Sequence, residues 1–115
     1  MRVIFLLLTG VLLATSVGAE TIDLGRGEVA LSVPTGYDAA KPAPLIMLVH
    51  GYTSSGTGQD RYLKIGPLAD EYGFFFLAPD GTLEASGDRN RFWNAQPVCC
   101  DFQASGVDDA GYLKR

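Results

Sequence analysis

The sequence predicts an α/β fold built on a mostly parallel sheet. Residues 45–49 and 74–78 are two continuous apolar runs, as expected of strands that are covered on both faces. Between them, apolar side chains recur at helical spacing over residues 59–72. A strand, a helix and a strand of these lengths form a crossover unit, whose two strands lie parallel and whose connection is right-handed.

The remaining elements are predicted in chain order. Residues 29–33 alternate weakly and suit an outer strand, which residues 34–37 turn. The helix over 59–72 should be kinked or split at Gly66-Pro67, because proline breaks the helical hydrogen-bond ladder. Residues 81–104 have little periodicity, and long irregular loops in compact domains are often functional. Residues 105–108 resemble a capping box that opens a last helix toward Leu113.

The N-terminus predicts export. Residues 1–19 have a short basic start, an apolar stretch too short for a comfortable membrane span, and small residues where a signal peptidase cuts. A transmembrane anchor is the competing interpretation. We therefore expect a secreted or periplasmic protein whose mature part begins at Glu20. We also expect residues 20–115 to be an incomplete domain, because the final helical pattern runs to Arg115 without a stop signal.

The charge and composition of the sequence argue against several classes of binding partner. The formal net charge is −4 and the charges are scattered, so nothing attracts the chain to nucleic acid or, after signal cleavage, to an anionic membrane. No histidine or further cysteine stands at ligand spacing from Cys99 and Cys100, so no metal site is expected. Adjacent cysteines in an exported chain predict disulfide chemistry, either with each other or with cysteines outside this sequence.

The loop that follows residues 45–49 has three interpretations. A phosphate-binding loop has the right glycine spacing at Gly51 and Gly56, but Thr57 stands in place of the lysine. A dinucleotide fingerprint matches at Gly56 and Gly58 but fails at Arg61, although Asp80 falls where a ribose-binding acid belongs. Export disfavours both. The third interpretation is an oxyanion loop, because glycine lets the backbone N–H groups approach the substrate closely.

Several motifs in order resemble one enzyme family. The motifs are Val49-His50-Gly51-Tyr52, Leu68-Ala69-Asp70-Glu71-Tyr72-Gly73-Phe74, Ala78-Pro79-Asp80-Gly81, Phe92-Trp93-Asn94, Cys99-Cys100-Asp101-Phe102 and Gly106-Val107-Asp108-Asp109. Together they are similar to the secreted polyhydroxybutyrate depolymerase and feruloyl or acetylxylan esterase family of α/β-hydrolases, over roughly residues 28–115.

The resemblance implies a partial α/β-hydrolase fold, truncated before the nucleophile elbow, and no cofactor. It implies an oxyanion loop at His50 and Gly51, with the main-chain N–H of Tyr52 as the donor, and an ester substrate (a polyester or a plant cell-wall ester) contacted by Tyr52 and Trp93. The family's Ser-Asp-His triad has its serine in G-x-S-x-G, which this sequence lacks, so this chain alone should be inactive.

Two alternatives stay open, a peptidase activity and a small exported non-catalytic binding or interaction module. His50 is the only histidine, and no serine elbow accompanies it in the sequence. We therefore interpret it as a residue that braces the loop and not as a general base. Ser54 and Ser55 lack the first glycine of an elbow and are interpreted as loop hydroxyls.

Overall fold

The computed structural model describes residues 20–115, so the predicted signal peptide, residues 1–19, lies outside the described part. A mixed sheet of four strands forms its centre, in the order β1-β2-β4-β3. The strands are β1 (Glu20–Asp23), β2 (Glu28–Ser32), β3 (Leu45–Met47) and β4 (Phe75–Leu77). A separate hairpin consists of β5 (Thr82–Leu83) and β6 (Arg91–Phe92).

The predicted fold class, a mostly parallel α/β sheet forming part of an α/β-hydrolase, is wrong. β1 pairs with β2 and β2 with β4 in antiparallel fashion, and only β3 and β4 are parallel. The described part is a small mixed sheet in which strands dominate over short helices. The helical crossover determines only that β3 and β4 run parallel. β1 and β2 are joined by a tight turn and therefore pair antiparallel.

The expectation that residues 45–49 are covered on both faces is also wrong. Within residues 20–115, β3 is an edge strand, because only β4 pairs with it. Its Leu45 is 56% exposed, and Val49, just beyond the strand, is 44% exposed. An unbroken apolar run therefore marked a half-covered edge strand in this chain, which sequence periodicity alone does not distinguish from a central one.

Three α-helices and one 3₁₀ helix complete the described part. They are α1 (Gly56–Leu63), the 3₁₀ helix Gly66–Leu68, α2 (Ala69–Tyr72) and α3 (Asp109–Leu113). The predicted split at Gly66-Pro67 is confirmed. Glycine stands at position 66 because a Cβ atom there would lie 2.6 Å from the Asp60 carboxylate and 2.9 Å from the Phe76 ring. None of the helices in residues 20–115 has the length and apolarity that crossing a bilayer requires.

The last helix begins later than the sequence predicts. Asp108, not Ser105, is its N-cap, and the Asp108 carboxylate accepts the N–H of Gly111 at 2.8 Å. Ser105 instead donates its hydroxyl to Asp101 at 2.9 Å. Asp101 collects two further donors, the N–H groups of Ser105 and Gly106, which lower the pKa of its carboxyl and order the turn before α3.

The apolar core lies between the sheet and the split helix. Ala69, Phe74 and Phe76 are buried together, with Leu48, Ile65 and Ala78 packed against them. α1 begins directly against the end of β4, because a Cβ atom on Gly56 would lie 1.9 Å from the carbonyl oxygen of Ala78. This packing brings the loop after β3 and the loop after β4 to the same edge of the sheet.

Candidate functional site

Residues 51–54 form a tight turn beyond the end of β3. The Ser54 N–H donates to the Gly51 carbonyl at 3.1 Å, and Thr53 has a φ of 69°. A positive φ at the third position only is the geometry of a type II turn, with Tyr52 second and Thr53 third. A β-branched residue is strained in this region. The Thr53 N–H donates to the Arg91 carbonyl at 2.9 Å, which helps to hold the strained turn in place.

The His50 side chain holds this turn in place through two hydrogen bonds. The side chain is buried, and its Nε2 atom accepts the Gly81 main-chain N–H at 2.9 Å. A main-chain N–H only donates, so the proton of the neutral ring lies on Nδ1. Nδ1 then donates to the Gly51 carbonyl at 2.7 Å. Both ring nitrogens are engaged with the backbone, which supports the bracing interpretation of His50 and leaves neither nitrogen for a serine.

The main-chain N–H of Tyr52 differs in its hydrogen bonding from the N–H groups of the other turn residues. Thr53 and Ser54 donate their N–H groups to the backbone, while Gly51 donates a long bond of 3.5 Å to the Gln59 side chain. Within residues 20–115, the Tyr52 N–H donates to no acceptor. It is therefore an unpaired donor, within the described residues, on a turn that other hydrogen bonds hold in place.

The Tyr52 side chain is fixed at its far end. Its hydroxyl donates to Glu84 Oε1 at 2.6 Å, and its ring meets the exposed Phe102 ring edge-on, with centroids 5.3 Å apart. Glu84 is buried, and its Oε2 accepts the main-chain and side-chain N–H groups of Asn90 at 3.0 and 3.2 Å. The Asn90 side chain also donates to the Tyr52 hydroxyl at 3.4 Å.

The bond between Tyr52 and Glu84 shifts both pKa values. A phenol that donates to a carboxylate holds its proton more firmly, so the pKa of Tyr52 is raised. The same bond stabilises the ionised carboxylate, so the pKa of Glu84 is lowered, and the Asn90 N–H groups act in the same direction. At neutral pH the pair is a neutral phenol donating to a charged carboxylate.

Trp93 lies in the core beside His50. It is 8% exposed, its ring centroid is 5.3 Å from that of His50, and it stacks on Tyr112 at 6.3 Å. Within the described residues its indole N–H has no hydrogen-bond partner. The structure thus places Trp93 among buried side chains beside His50, and its predicted contact with substrate stays a prediction.

Asp80 is engaged in structural bonds. Its carboxylate accepts the Gly56 N–H at the start of α1 at 2.8 Å and pairs with the Arg91 guanidinium at 3.2 Å. Ser55 caps the same helix by accepting the Gly58 N–H at 3.0 Å. These contacts support neither a ribose-binding aspartate nor a nucleophilic Ser55.

The two cysteines form a disulfide with each other. The structure therefore has the first of the two disulfide alternatives. The Cys100 N–H donates to the Trp93 carbonyl at 3.3 Å, and Gln96 and Cys99 exchange two main-chain bonds of 3.0 Å. The cysteine pair thus fastens the segment that follows Trp93.

A cavity of about 750 Å³ opens elsewhere, on residues of β2, α1 and the loop after β4. None of the turn residues 51–54 lines it. Two charged residues of its wall, Asp80 and Arg91, already pair with each other. The cavity and the turn are therefore separate features. In the part of the chain that the structure describes, no cluster of three or more acidic, histidine or cysteine side chains is arranged to hold a metal ion.

Sequence reasoning located the turn but missed the residues that hold it. Glu84, Asn90 and Arg91 all lie in the stretch 81–104, where no periodicity marked them. A buried glutamate is found only from the structure, because glutamate is ordinarily exposed. Searches against protein-family models, curated proteins and solved structures find no match to the chain.

Proposed function

We propose that this chain supplies the oxyanion-binding turn of an exported carboxylic-ester hydrolase of the polyhydroxybutyrate depolymerase or feruloyl esterase type. One observation carries the proposal. The Tyr52 main-chain N–H has no acceptor within residues 20–115, while the turn around it is held through His50, Thr53 and the Tyr52 hydroxyl. The proposal rests on this turn and on the motifs of the sequence, and not on the fold.

The chemistry requires such a donor. Attack on an ester carbonyl moves negative charge onto the carbonyl oxygen, and a pre-positioned N–H stabilises that charge without reorganising during the reaction. Removing one such donor typically lowers kcat by about 10²- to 10³-fold. The strained φ of Thr53 fits this role, because strain is retained where a turn must present its backbone in one orientation.

The nucleophile and the general base come from outside these 115 residues in this proposal. The sequence contains no G-x-S-x-G, and the bonds of His50 to Gly51 and Gly81 occupy both of its ring nitrogens. The second oxyanion donor is then the N–H that follows the nucleophilic serine. The reaction needs no cofactor, and its substrate is a polyester or a plant cell-wall ester.

Two experiments test the proposal. The 115-residue chain should hydrolyse p-nitrophenyl acetate no faster than a heat-treated sample. Saturable turnover that a serine-reactive phosphonate abolishes would place the nucleophile inside this chain and contradict the proposal. The coding DNA beyond the Arg115 codon should encode G-x-S-x-G, and the protein from that longer frame should hydrolyse the ester and bind the phosphonate. A stop codon directly after Arg115 would instead favour a non-catalytic interaction module.

A further inference from the structure

The turn is bound to one neighbouring segment, residues 81–91, which begins just before β5 and ends in β6. His50 is bound through the Gly81 N–H, and the Thr53 N–H is bound through the Arg91 carbonyl. The third contact is the hydrogen bond that the Tyr52 hydroxyl donates to Glu84 at 2.6 Å. Glu84 lies between β5 and β6. The first two bonds involve main-chain atoms of the hairpin, whereas the third depends on a particular side chain.

We infer that Glu84 is a positioning residue, which holds the Tyr52 phenol and thereby fixes the orientation of the turn that presents the Tyr52 N–H. Its catalytic meaning rests on the proposed function, whereas its effect on the turn does not. Glu84 contacts no atom of the proposed oxyanion and acts only through Tyr52.

The contacts of Glu84 indicate that it positions Tyr52 and is not merely a buried charge. Glu84 is 7% exposed, and its carboxylate accepts on both oxygens, from Tyr52 on one side and from Asn90 on the other. An ionised carboxylate only accepts, so it suits the three groups that donate to it, the Tyr52 hydroxyl and the two N–H groups of Asn90. No lysine or arginine pairs with Glu84 within residues 20–115, so the phenol is a main stabiliser of its charge.

The connection from the phenol to the backbone is short. Tyr52 is the second residue of the type II turn, so its ring and its N–H belong to the same residue. Thr53, next to it, has a positive φ that a β-branched residue adopts only when its surroundings enforce it. Loss of the phenol anchor therefore leaves the turn held by the bonds of His50, Thr53 and Ser54 and by the long bond from Gly51 to Gln59.

Amide hydrogen exchange on the full chain tests the inference without any activity. Tyr52→Phe removes only the hydroxyl, and Glu84→Ala removes its acceptor. Each variant should speed exchange of the Thr53 and Ser54 N–H groups by about tenfold or more, since local opening controls exchange. The Leu48 N–H, which donates to Leu77 in the sheet, should keep its rate. Glu84→Gln should be intermediate, because an amide offers one acceptor oxygen where two are needed.

Glu71→Gln is the matched control, because Glu71 is exposed and forms no hydrogen bond to another side chain in the described part of the chain. Unchanged Thr53 exchange in Tyr52→Phe would overturn the inference. Equal acceleration at Thr53 and Leu48 would also overturn it, because Glu84 would then stabilise the whole fold and not the turn. In a longer protein of the kind that the proposed function requires, Glu84→Gln should lower kcat more than it changes KM. If that protein has no esterase activity while Thr53 exchange still responds, the proposed function fails and the positioning role stands.

Discussion

His50 Nε2 accepts the main-chain N–H of Gly81 at 2.9 Å, across 31 residues of sequence. This bond joins the loop after β3 to the loop after β4 and determines which histidine tautomer is present. The His-Gly pair of the sequence therefore builds a brace between two loops. It also explains why a lone histidine beside a proposed oxyanion turn is not the base.

Replacing His50 with alanine should destabilise the fold by about 1–3 kcal/mol, because the buried Gly81 N–H loses its acceptor. Urea unfolding followed by circular dichroism measures the change. Lys64→Ala, at an exposed C-cap position, serves as the control and should change the unfolding free energy by less than about 0.5 kcal/mol. An equally small effect of His50→Ala would show that the Gly81 N–H finds another partner.

Asp109→Asn should cost about 3 kcal/mol of unfolding free energy. Asp109 is 4% exposed, pairs with Arg26 and accepts the Asn94 N–H, so its replacement leaves the guanidinium without its carboxylate partner. The lower end of the range for buried pairs applies, because the Arg26 side chain is 25% exposed. Asp38→Asn tests the exposed pair with Lys41 and should cost less than about 0.5 kcal/mol. Equal losses of unfolding free energy in the two variants would show that the buried pair stabilises the fold no more than the exposed pair does.

Gly56→Ala should destabilise the protein by about 2 kcal/mol or more, because its Cβ would lie 1.9 Å from the Ala78 carbonyl oxygen. Gly51→Ala is the matched control for stability, since among the described residues no atom outside its chain neighbours lies within 4 Å of its Cβ position and its φ is not positive. It should cost less than about 1 kcal/mol. Thermal unfolding of both variants separates the outcomes, and a tolerated Gly56→Ala would mean that α1 does not begin against β4.

Acid should loosen the Tyr52–Glu84 contact. The pKa of Glu84 is lowered from its ordinary value of 4.5, chiefly by the Tyr52 hydroxyl. A carboxyl with a lowered folded-state pKa stabilises the fold above its unfolded pKa, and this stabilisation disappears as pH falls through the folded pKa. Unfolding measured from about pH 6 down to about pH 3 should therefore show a steeper loss in the wild type than in Tyr52→Phe. Parallel curves for the two proteins would contradict the contact.

The sequence located the local elements better than the architecture. Apolar runs placed β3 and β4, and Gly66-Pro67 marked the break in the helix, because these signals are local. β1 escaped notice because its residues are mostly polar and exposed, and its pairing with β2 turned the sheet mostly antiparallel. For the site, the turn at Gly51 followed from its sequence, whereas the Glu84 and Arg91 contacts depend on tertiary packing that no local pattern encodes.

The most direct measurement compares Tyr52→Pro with Tyr52→Ala in a longer protein of the kind that the proposed function requires. Proline suits the second position of a type II turn and lacks the N–H, whereas alanine retains the N–H and loses the same phenol. We predict that kcat for p-nitrophenyl acetate is about 10²- to 10³-fold lower in Tyr52→Pro than in Tyr52→Ala. Equal kcat values in two folded variants would show that the Tyr52 N–H does not stabilise the oxyanion.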